Sequence, residues 1–342
     1  MEALVIGGTR NLGPPLVSSL VDRGYQVTVF HRGQTQAPLP SSVQHVYGDR
    51  SDADQLSNTV AGREFDVIID TTLYTGDDAQ AAARIFDSRV GRYIMLSTGQ
   101  VYLVREGLSR PFFEKDYSGP TIPAPPRENV SDYDDWLYGI DKRAAEDGLM
   151  RSYQEHGFPV TVLRLPMVNS ERDHFHRLAG YLARLRDGGP ILIPDGPHLN
   201  LRHVYGGDVV CAIGQLAASD IGRGEAYNLS QDEEVTIDEF LGMLARIGGA
   251  DLRIVKVPRK RLESEKLLPA CSPFSGRWMS NLDNGRSKRE LGIIYTRLET
   301  YLSNLVHHFS SRQCTQPGYE RRPLELRIAD EFSGDPAPRP AN

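Results

Sequence analysis

Tyr138 and Lys142 are the two residues of this sequence whose types and spacing point most directly to chemistry. They stand four residues apart in a helical segment, so a phenol and an ammonium share one helix face, one turn apart. A free phenol has a pKa of about 10, and a neighbouring ammonium lowers that pKa because it favours the phenolate. The pair therefore predicts acid–base catalysis, in which Tyr138 exchanges a proton with a hydroxyl or carbonyl oxygen.

A hydroxyl for the same reaction follows the apolar run Tyr93–Leu96, which has strand character. Ser97 and Thr98 come directly after it, and ligands of open α/β sheets bind at the carboxyl ends of parallel strands. We expect Thr98 to hydrogen-bond the substrate oxygen that Tyr138 serves. A turn or helix cap is the alternative interpretation of these hydroxyls.

A glycine-rich turn, Gly7-Gly8-Thr9-Arg10-Asn11-Leu12-Gly13, lies between a short apolar run and a helical segment. Glycines allow a tight turn and let a phosphate approach the helix N-terminus, where N–H groups and the helix dipole favour an anion. The strand–turn–helix context predicts dinucleotide binding. A tight turn without a ligand is the structural alternative.

The strand predicted at Gln26–Phe30 is followed by His31 and Arg32, with no acid. An acid there receives the ribose 2′-hydroxyl of NAD, whereas a base accommodates the 2′-phosphate of NADP. Because Arg10 adds a second guanidinium that could clamp a phosphate, we predict NADP, with NAD as the second choice. Two solvated arginines are the alternative. We expect Asp49 either to accept the adenine amino group or to cap a turn.

The elements that must position these residues alternate through the first 165 residues. Strand character is found at Ala3–Ile6, Gln26–Phe30, Val67–Asp70, Tyr93–Leu96 and Val160–Leu165, and helical character at Leu12–Arg23, Asp77–Phe86 and Trp136–His156. This alternation predicts an α/β fold, a Rossmann-type doubly wound parallel sheet.

A change of pattern near residue 169 predicts a smaller C-terminal substrate-binding lobe, which includes a helix at His174–Arg186 and a strand at Ile191–Ile193. We expect a dinucleotide-binding domain at 1–168 and a lobe at 169–310, with room for the chain to cross back to the first domain. Residues 311–342 are rich in proline and charge, which predicts an extended or disordered tail.

The composition sets outer limits on function. The 342 residues are 39% hydrophobic and 25% charged, as in ordinary globular proteins, and carry a net charge of −6, which disfavours a broad surface for nucleic acid. The three cysteines are far apart and lack CxxC spacing, so we expect no disulfide scaffold and no metal site. No apolar run approaches membrane-spanning length, and we expect a cytoplasmic protein without a membrane partner.

The motifs, in this order, resemble the extended and atypical branches of the short-chain dehydrogenase/reductase superfamily, which include sugar-nucleotide epimerases and dehydratases. The resemblance runs from Met1 to about His308 and includes Leu96–Tyr102 and Tyr138–Glu146. Further similar segments are Leu163–Pro166, Asp187–Pro194, Arg202–Val209 and Glu225–Glu239. The resemblance implies hydride transfer between a sugar carbon and nicotinamide C4, with a sugar nucleotide or similar polyol as substrate. It also implies a homodimer as a common assembly.

The resemblance also implies the membership of three sets of site residues. The catalytic set is Tyr138, Lys142 and Thr98, in which Lys142 also holds the nicotinamide ribose. The cofactor set is Gly7, Gly8, Thr9, Arg10, Asn11, Leu12, Gly13, His31, Arg32, Asp49, Arg50, Thr71, Thr72, Leu73, Ser97, Tyr138, Lys142, Leu165, Pro166 and Val168. The substrate set is Tyr74, Thr98, Gly99, Gln100, Asn169 and Arg202.

Departures from the family pattern restrict the reaction. Gly99-Gln100 stands where the dehydratases carry an Asp-Glu pair, which argues against a 4,6-dehydratase, and Arg10 replaces the middle glycine. The leading hypothesis is an NAD(P)-dependent epimerase or ketoreductase.

Two alternatives remain, a nucleic-acid-binding protein and a cofactor sensor without turnover. Some relatives with a similar glycine turn bind RNA. The dense basic run here comprises Arg253, Lys256, Arg259, Lys260 and Arg261, and we prefer to interpret it as a solvated loop and expect no nucleic-acid partner.

Overall fold

A computed structural model of the protein describes residues 1–310 and 318–333 and contains two compact units. Unit 1 comprises Met1–Arg172, Arg202–Asp232 and Ser280–Tyr295, and unit 2 comprises Asp173–Leu201, Glu233–Met279 and Thr296–Asn342. Two segments of the region expected to form the second lobe therefore return to unit 1.

The strands and helices are numbered in chain order. The strands are β1 (Glu2–Ile6), β2 (Gln26–His31), β3 (Gln44–Tyr47), β4 (Val67–Asp70), β5 (Tyr93–Thr98), β6 (Val160–Leu165), β7 (Val168–Asn169), β8 (Ile191–Pro194), β9 (Val204–Tyr205), β10 (Glu225–Asn228) and β11 (Ile254–Val257). The helices are α1 (Gly13–Asp22), α2 (Ala53–Val60), α3 (Gly76–Phe86), α4 (Gln100–Leu103), α5 (Val130–His156), α6 (Arg177–Arg186), α7 (Gly206–Ala217), α8 (Ile237–Gly248), α9 (Arg259–Ser264), α10 (Gly285–Leu291), α11 (Leu298–Ser310) and α12 (Arg322–Ser333). Short 3₁₀ turns lie at Glu114–Tyr117 and Tyr319–Arg321.

Unit 1 is built on a seven-stranded sheet in the order β10-β6-β5-β4-β1-β2-β3, and every neighbouring pair is parallel. One face is covered by α1 and α7, and the other by α2, α3 and α5. The order reverses beside β1, as in doubly wound nucleotide-binding sheets, so the predicted fold class is confirmed.

Strand β1 shows why this sequence forms a central strand. Ala3 and Val5 enter the core on one side of the sheet, whereas Leu4 and Ile6 enter the core on the other. Side chains alternate between faces along a strand, so a continuous apolar run fits a strand that is buried on both faces.

Turn and cap residues set the ends of the helices that carry the site. Helix α3 begins with a capping box in which Thr75 and Asp78 satisfy each other's backbone N–H groups. Helix α5 ends at Gly157, whose φ of +75° is the left-handed conformation that favours glycine.

In unit 2, β8 and β11 form a short parallel pair. A buried cluster that includes Leu192, Val257, Cys271 and Ile328 packs around this pair. Ile328 belongs to α12, so the C-terminal helix is part of the core of unit 2.

The prediction of an extended or disordered tail is wrong for residues 319–333, which form a 3₁₀ turn and α12. The helix packs Leu324, Ile328 and Ala329 on the core of unit 2. It is also held by ion pairs, because Glu325 accepts from Arg184 at 2.8 Å and Arg322 donates to Asp187 at 2.7 Å. Ion pairs with distant residues leave no periodic signal in the sequence. Residues 311–317 and 334–342 of that prediction lie outside the described residues.

Candidate active site

The glycine turn between β1 and α1 needs its glycines. Gly7 and Gly8 have φ values of +96° and +75°, and a Cβ on Gly13 would lie 2.3 Å from the carbonyl carbon of Gly8. Gly13 N–H donates to the carbonyl of Arg10 at 2.8 Å. The start of α1 therefore packs directly on the backbone of the turn, which only glycine at this position allows.

The first turn of α1 has few N–H donors, because Pro14 and Pro15 lack this group. The backbone amides that remain nearest the helix end are those of Asn11 and Leu12. The Asn11 side chain is already engaged, since its Oδ1 accepts from Ser170 Oγ at 2.5 Å.

The end of β2 carries a small aromatic and basic cluster. His31 Nε2 lies 3.0 Å from His45 Nδ1, and the ring of His31 lies 5.0 Å from that of Tyr47. Arg32 is exposed beside this cluster, and Arg10 donates from Nε to Thr35 at 3.0 Å. Burial and the nearby His45 lower the pKa of His31. His45 joins His31 across the sheet edge, and no motif in the sequence indicated this contact.

The side chains after β3 are engaged within the protein. One oxygen of Asp49 accepts from the backbone N–H and the hydroxyl of Ser51 at 3.0 and 2.7 Å, which is a turn cap; its adenine contact stays a prediction. Arg50 is buried and contacts Asp70 at 3.1 Å and Asp78 at 3.5 Å. The guanidinium of Arg50 thus serves as the positive partner of the buried Asp70, and its cofactor contact stays a prediction.

The residues after β4 contact the ends of β1 and β4 on one side and the predicted catalytic residues on the other. The Thr71 hydroxyl donates to the carbonyl of Ile6 at 2.9 Å, and the Thr72 backbone N–H donates to Asp70 at 2.9 Å. The side chain of Leu73 is buried. The Tyr74 ring lies 6.3 Å from the Tyr138 ring and 5.1 Å from Lys142 Nζ.

The predicted catalytic residues come together at the ends of β4 and β5. The Thr98 hydroxyl lies close enough to the Tyr138 phenol to lower its pKa. Lys142 is buried and donates to the carbonyls of Leu73 and Leu96 at 2.6 and 2.8 Å. Burial lowers the pKa of Lys142 to about 8, although Asp70 and Glu146 act in the opposite direction.

The expectation that Lys142 lowers the pKa of Tyr138 is wrong in this structure. Burial and the adjacent Tyr74 raise the pKa of Tyr138 to about 12, and the nearby Thr98 hydroxyl acts in the opposite direction. Lys142 does not contact the phenol and instead directs two N–H groups to the carbonyls of Leu73 and Leu96. Although Tyr138 is 37% exposed, its raised pKa leaves the phenol protonated at neutral pH.

The Ser97 side chain belongs to a buried network next to the catalytic residues, and its cofactor contact stays a prediction. Its hydroxyl donates to Glu146, which also accepts from Arg164 at 2.6 Å. Arg164 in turn donates to the Tyr102 hydroxyl at 2.7 Å. Because side chains alternate along β5, Ser97 and Thr98 face opposite sides of the sheet.

The remaining predicted substrate residues lie mainly within the fold. Asn169 Nδ2 lies 3.1 Å from His203 Nδ1. Arg202 donates to the Gln231 carbonyl at 3.0 Å, and a Cβ on Gly99 would lie 2.2 Å from a side-chain atom of Ser280. Arg202 and Gly99 are thus held by other parts of unit 1.

The predicted cofactor residues at the end of β6 and just after it are packed closely. Leu165 and Pro166 are buried, and Val168 pairs in register with Val204. Their cofactor contacts stay predictions.

Sequence reasoning missed Asp135, which lies one turn before Tyr138 on α5 and accepts from Gln100 Nε2 at 3.2 Å. Its three-residue spacing from Tyr138 was the signal that could have identified it.

The basic run of unit 2 is largely paired. Arg259 and Arg261 contact Glu263 and Glu265 at 3.9 and 2.5 Å, and Lys256 lies 3.9 Å from Asp238. These acids reduce the positive field that a nucleic acid would require.

Residues 1–310 and 318–333 were also compared with the requirements for a membrane-spanning helix and for a metal site. No helix there is long and apolar enough to span a bilayer. Within the same residues, no three or more His, Cys, Asp or Glu side chains are grouped so that they could hold a metal ion.

Known proteins with similar sequences include two characterised relatives. The 2′-dehydrokanamycin reductase of Streptomyces kanamyceticus is 25% identical over 293 residues, which cover 83% of this chain and 77% of that protein. The chloroplast stem-loop binding protein of 41 kDa b of Arabidopsis thaliana is 26% identical over 268 residues, 72% of this chain and 63% of that protein.

Solved structures show the same fold at lower identity. UDP-glucose 4-epimerase of Thermotoga maritima, solved with UDP-glucose, has a TM-score of 0.71 at 20% identity, and the match covers 91% of this chain and 99% of that chain. The dTDP-glucose 4,6-dehydratase of Bacillus anthracis, solved with NAD, has a TM-score of 0.70 at 16% identity. The match covers 92% of this chain and 97% of that chain.

A family model described as "NAD dependent epimerase/dehydratase family" matches residues 3–230, which is more than half of the chain. This match confirms the predicted superfamily and the prediction of a nicotinamide-dependent enzyme. The chain belongs to the NAD dependent epimerase/dehydratase family.

Proposed function

We propose that the protein is an NADP-dependent oxidoreductase that acts on a ring hydroxyl or ketone of a sugar nucleotide or similar polyol. The observation that carries this proposal is the assembly of Thr98, Tyr138 and Lys142 at the carboxyl ends of two parallel strands in the same unit as the glycine turn. A phenol, a hydroxyl and an ammonium in this arrangement can bind one oxygen and move its proton.

In the direction of reduction, the proton begins on Tyr138. Its pKa, raised to about 12, keeps the phenol protonated at neutral pH, so Tyr138 is suited to donate to a ketone oxygen. Thr98 hydrogen-bonds the same oxygen and orients it. A bound nicotinamide supplies the hydride at its C4 carbon. An epimerase would use this proton transfer in both directions, whereas a ketoreductase would use it in one.

The same residues would hold the cofactor in place. The amides of Asn11 and Leu12 would meet the diphosphate at the start of α1, where the helix dipole favours an anion. Lys142 would hold the nicotinamide ribose. Arg10 and Arg32 would hold the 2′-phosphate, and both of their charges act on the phenol of Tyr74.

The direct test measures cofactor binding first and turnover second. The full chain is titrated with NADPH and NADH. It is then assayed with 2′-dehydrokanamycin and the reduced cofactor, and with UDP-glucose and the oxidised cofactor, by nicotinamide absorbance and by analysis of the sugar product. Binding of a dinucleotide with turnover of one sugar supports the proposal. A chain that binds neither dinucleotide would contradict it.

Replacing Arg32 by alanine is expected to remove most of the preference for NADP, because a guanidinium pairs with a phosphate dianion more strongly than with a hydroxyl. NADP should bind about tenfold more weakly, and NAD affinity should be unchanged. Dissociation constants for both dinucleotides check this. Arg151→Ala, an exposed arginine on α5, is the control for loss of charge. Equal affinities in the parent protein would refute the assignment of NADP.

Cofactor affinity is expected to fall as the pH rises through about 8, the lowered pKa of Lys142. Below this pH the side chain is an ammonium that can hold the ribose, and above it the side chain loses its charge and one N–H. The dissociation constant of NADPH between pH 6 and 10 measures the effect. Lys142→Met should bind NADPH weakly, and its dissociation constant should not change near pH 8. A change of the same size in Lys142→Met would assign the titration to another group.

RNA binding has less support as a function, although one relative is named a stem-loop binding protein. The net charge is −6, and the basic run of unit 2 is mostly paired with acids. Nucleic-acid affinity depends on unneutralised positive charge that can replace counterions on phosphates.

A further inference from the structure

A pair of polar side chains extends the site beyond Thr98. Gln100 is 8% exposed, and its backbone N–H donates to Thr98 Oγ1 at 3.2 Å. Its side-chain Nε2 donates to Asp135 Oδ1, also at 3.2 Å. A single residue therefore connects the carboxyl of Asp135 to the catalytic hydroxyl.

The position of Asp135 on α5 places it on the substrate side of Tyr138. Asp135, Tyr138 and Lys142 have i, i+3 and i+7 spacing, so they lie on one helix face over successive turns. With a rise of about 1.5 Å per residue, Asp135 and Lys142 are about 10 Å apart along the axis, with Tyr138 between them. Lys142 contacts the strand ends next to the cofactor site, so Asp135 lies on the opposite side.

The carboxyl of Asp135 is half-buried and lacks a positive partner. Burial and the charges of Asp132 and Asp134 on the same helix raise its pKa to about 6. The residue that faces it from α4 is the neutral amide of Gln100. Asp135 Oδ2 has no hydrogen-bond partner among the residues that the structure describes. This oxygen is open to solvent and is available to accept from a ligand that binds beside Gln100.

We infer that Asp135, oriented by Gln100, is a substrate-binding residue that selects a sugar with a hydrogen-bond donor beside the carbon served by Tyr138. This inference rests on the proposed function. The donor is either a hydroxyl or an ammonium, and both can donate to a carboxylate. The carboxylate sets a preference for ammonium, because charge-assisted hydrogen bonds are the stronger ones.

The inference has a pH dependence with a defined sign. Above about pH 6 Asp135 is ionised and accepts the donor of the sugar. Below that pH it is protonated, so the ion pair with an ammonium is lost and sugar binding weakens. Protonation of a carboxylate with a merely structural role would not change sugar affinity in this way.

The test uses the full chain saturated with NADP⁺ and two probe sugars, kanamycin for an ammonium donor and UDP-glucose for a hydroxyl donor. Calorimetry gives the affinity of each probe from pH 5 to pH 8. The variants are Asp135→Ala and the isosteric Asp135→Asn, and Asp134→Asn is the matched control, since Asp134 is exposed and carries the same charge. NADP⁺ affinity shows that each variant is folded.

Asp135→Ala should lower the affinity for at least one probe sugar by about tenfold or more, which is the usual effect of losing a hydrogen bond to a charged group. Asp135→Asn should affect kanamycin more than UDP-glucose and should abolish the loss of affinity below about pH 6. Asp134→Asn should stay within about twofold of the parent at pH 8 and should move the loss of affinity to lower pH, because the charge of Asp134 contributes to the raised pKa of Asp135. Unchanged affinity for both probes in Asp135→Ala would overturn the inference and leave the proposed function standing. Binding of NADP⁺ with no affinity for either sugar would overturn both the inference and the proposed substrate class.

Discussion

Replacing Tyr138 by phenylalanine is expected to lower turnover by about two to four powers of ten, the usual contribution of general acid–base catalysis. The substitution removes the hydroxyl near Thr98 and keeps the ring beside Tyr74. NADP affinity should be nearly unchanged, because Lys142 keeps its bonds to the strand ends. Steady-state turnover and cofactor titration of the same sample measure the two quantities.

The pH profile distinguishes loss of the proton donor from a general disturbance. With the pKa of Tyr138 raised to about 12, reduction by the parent should show no loss due to Tyr138 until strongly alkaline pH. That alkaline loss should be absent from the residual activity of Tyr138→Phe.

Tyr133→Phe, on the same helix, is the control for removing a phenol hydroxyl, and it should react at the parent rate. A parent rate in Tyr138→Phe would show that this mechanism is wrong, whatever the fold.

Replacing Glu325 by alanine is expected to lower the free energy of unfolding of unit 2 by about 3–5 kcal/mol, the cost of leaving a buried charge without its partner. Glu325 is buried and accepts from Arg184 at 2.8 Å and from Arg322 at 2.9 Å. Arg184 is fully buried, so its guanidinium has no water to replace the lost carboxylate. Calorimetric unfolding of the full chain measures the loss.

Glu331→Ala is the matched control on the same helix. Its ion pair with Arg261 is long, at 3.4 Å, and its side chain is exposed. The free energy of unfolding should therefore change by no more than about 0.5 kcal/mol. If Glu325→Ala unfolded as the parent does, α12 would contribute little to unit 2, and the earlier expectation of a disordered tail would regain support.

The fold class of unit 1 could be predicted because its signals are local. Ala3–Ile6 is apolar on both faces of a strand, and the positive φ values of Gly7 and Gly8 suit the turn that follows. The four-residue spacing of Tyr138 and Lys142 places them on one helix face in any structure that keeps the helix. Periodicity and backbone conformation depend on neighbouring residues, so a single sequence contains them.

Charge partners could not be predicted in the same way. Arg50 looked like a cofactor residue because it follows a strand, yet the structure pairs it with Asp70. The lysine was expected to lower the pKa of Tyr138, whereas its donors are used by the carbonyls of Leu73 and Leu96. Each outcome depends on a residue more than 15 positions away.

Residue type and short spacing were enough to predict the main alternation of strands and helices in the first 165 residues, the glycine turn and the groups with acid–base chemistry. Contacts between distant residues were needed to show which charges are buried together, that Asp135 contacts Gln100, and that Glu325 of α12 pairs with Arg184. The physical reason is that burial and pairing set the energy of a charge, and both are properties of contacts between residues distant in the chain.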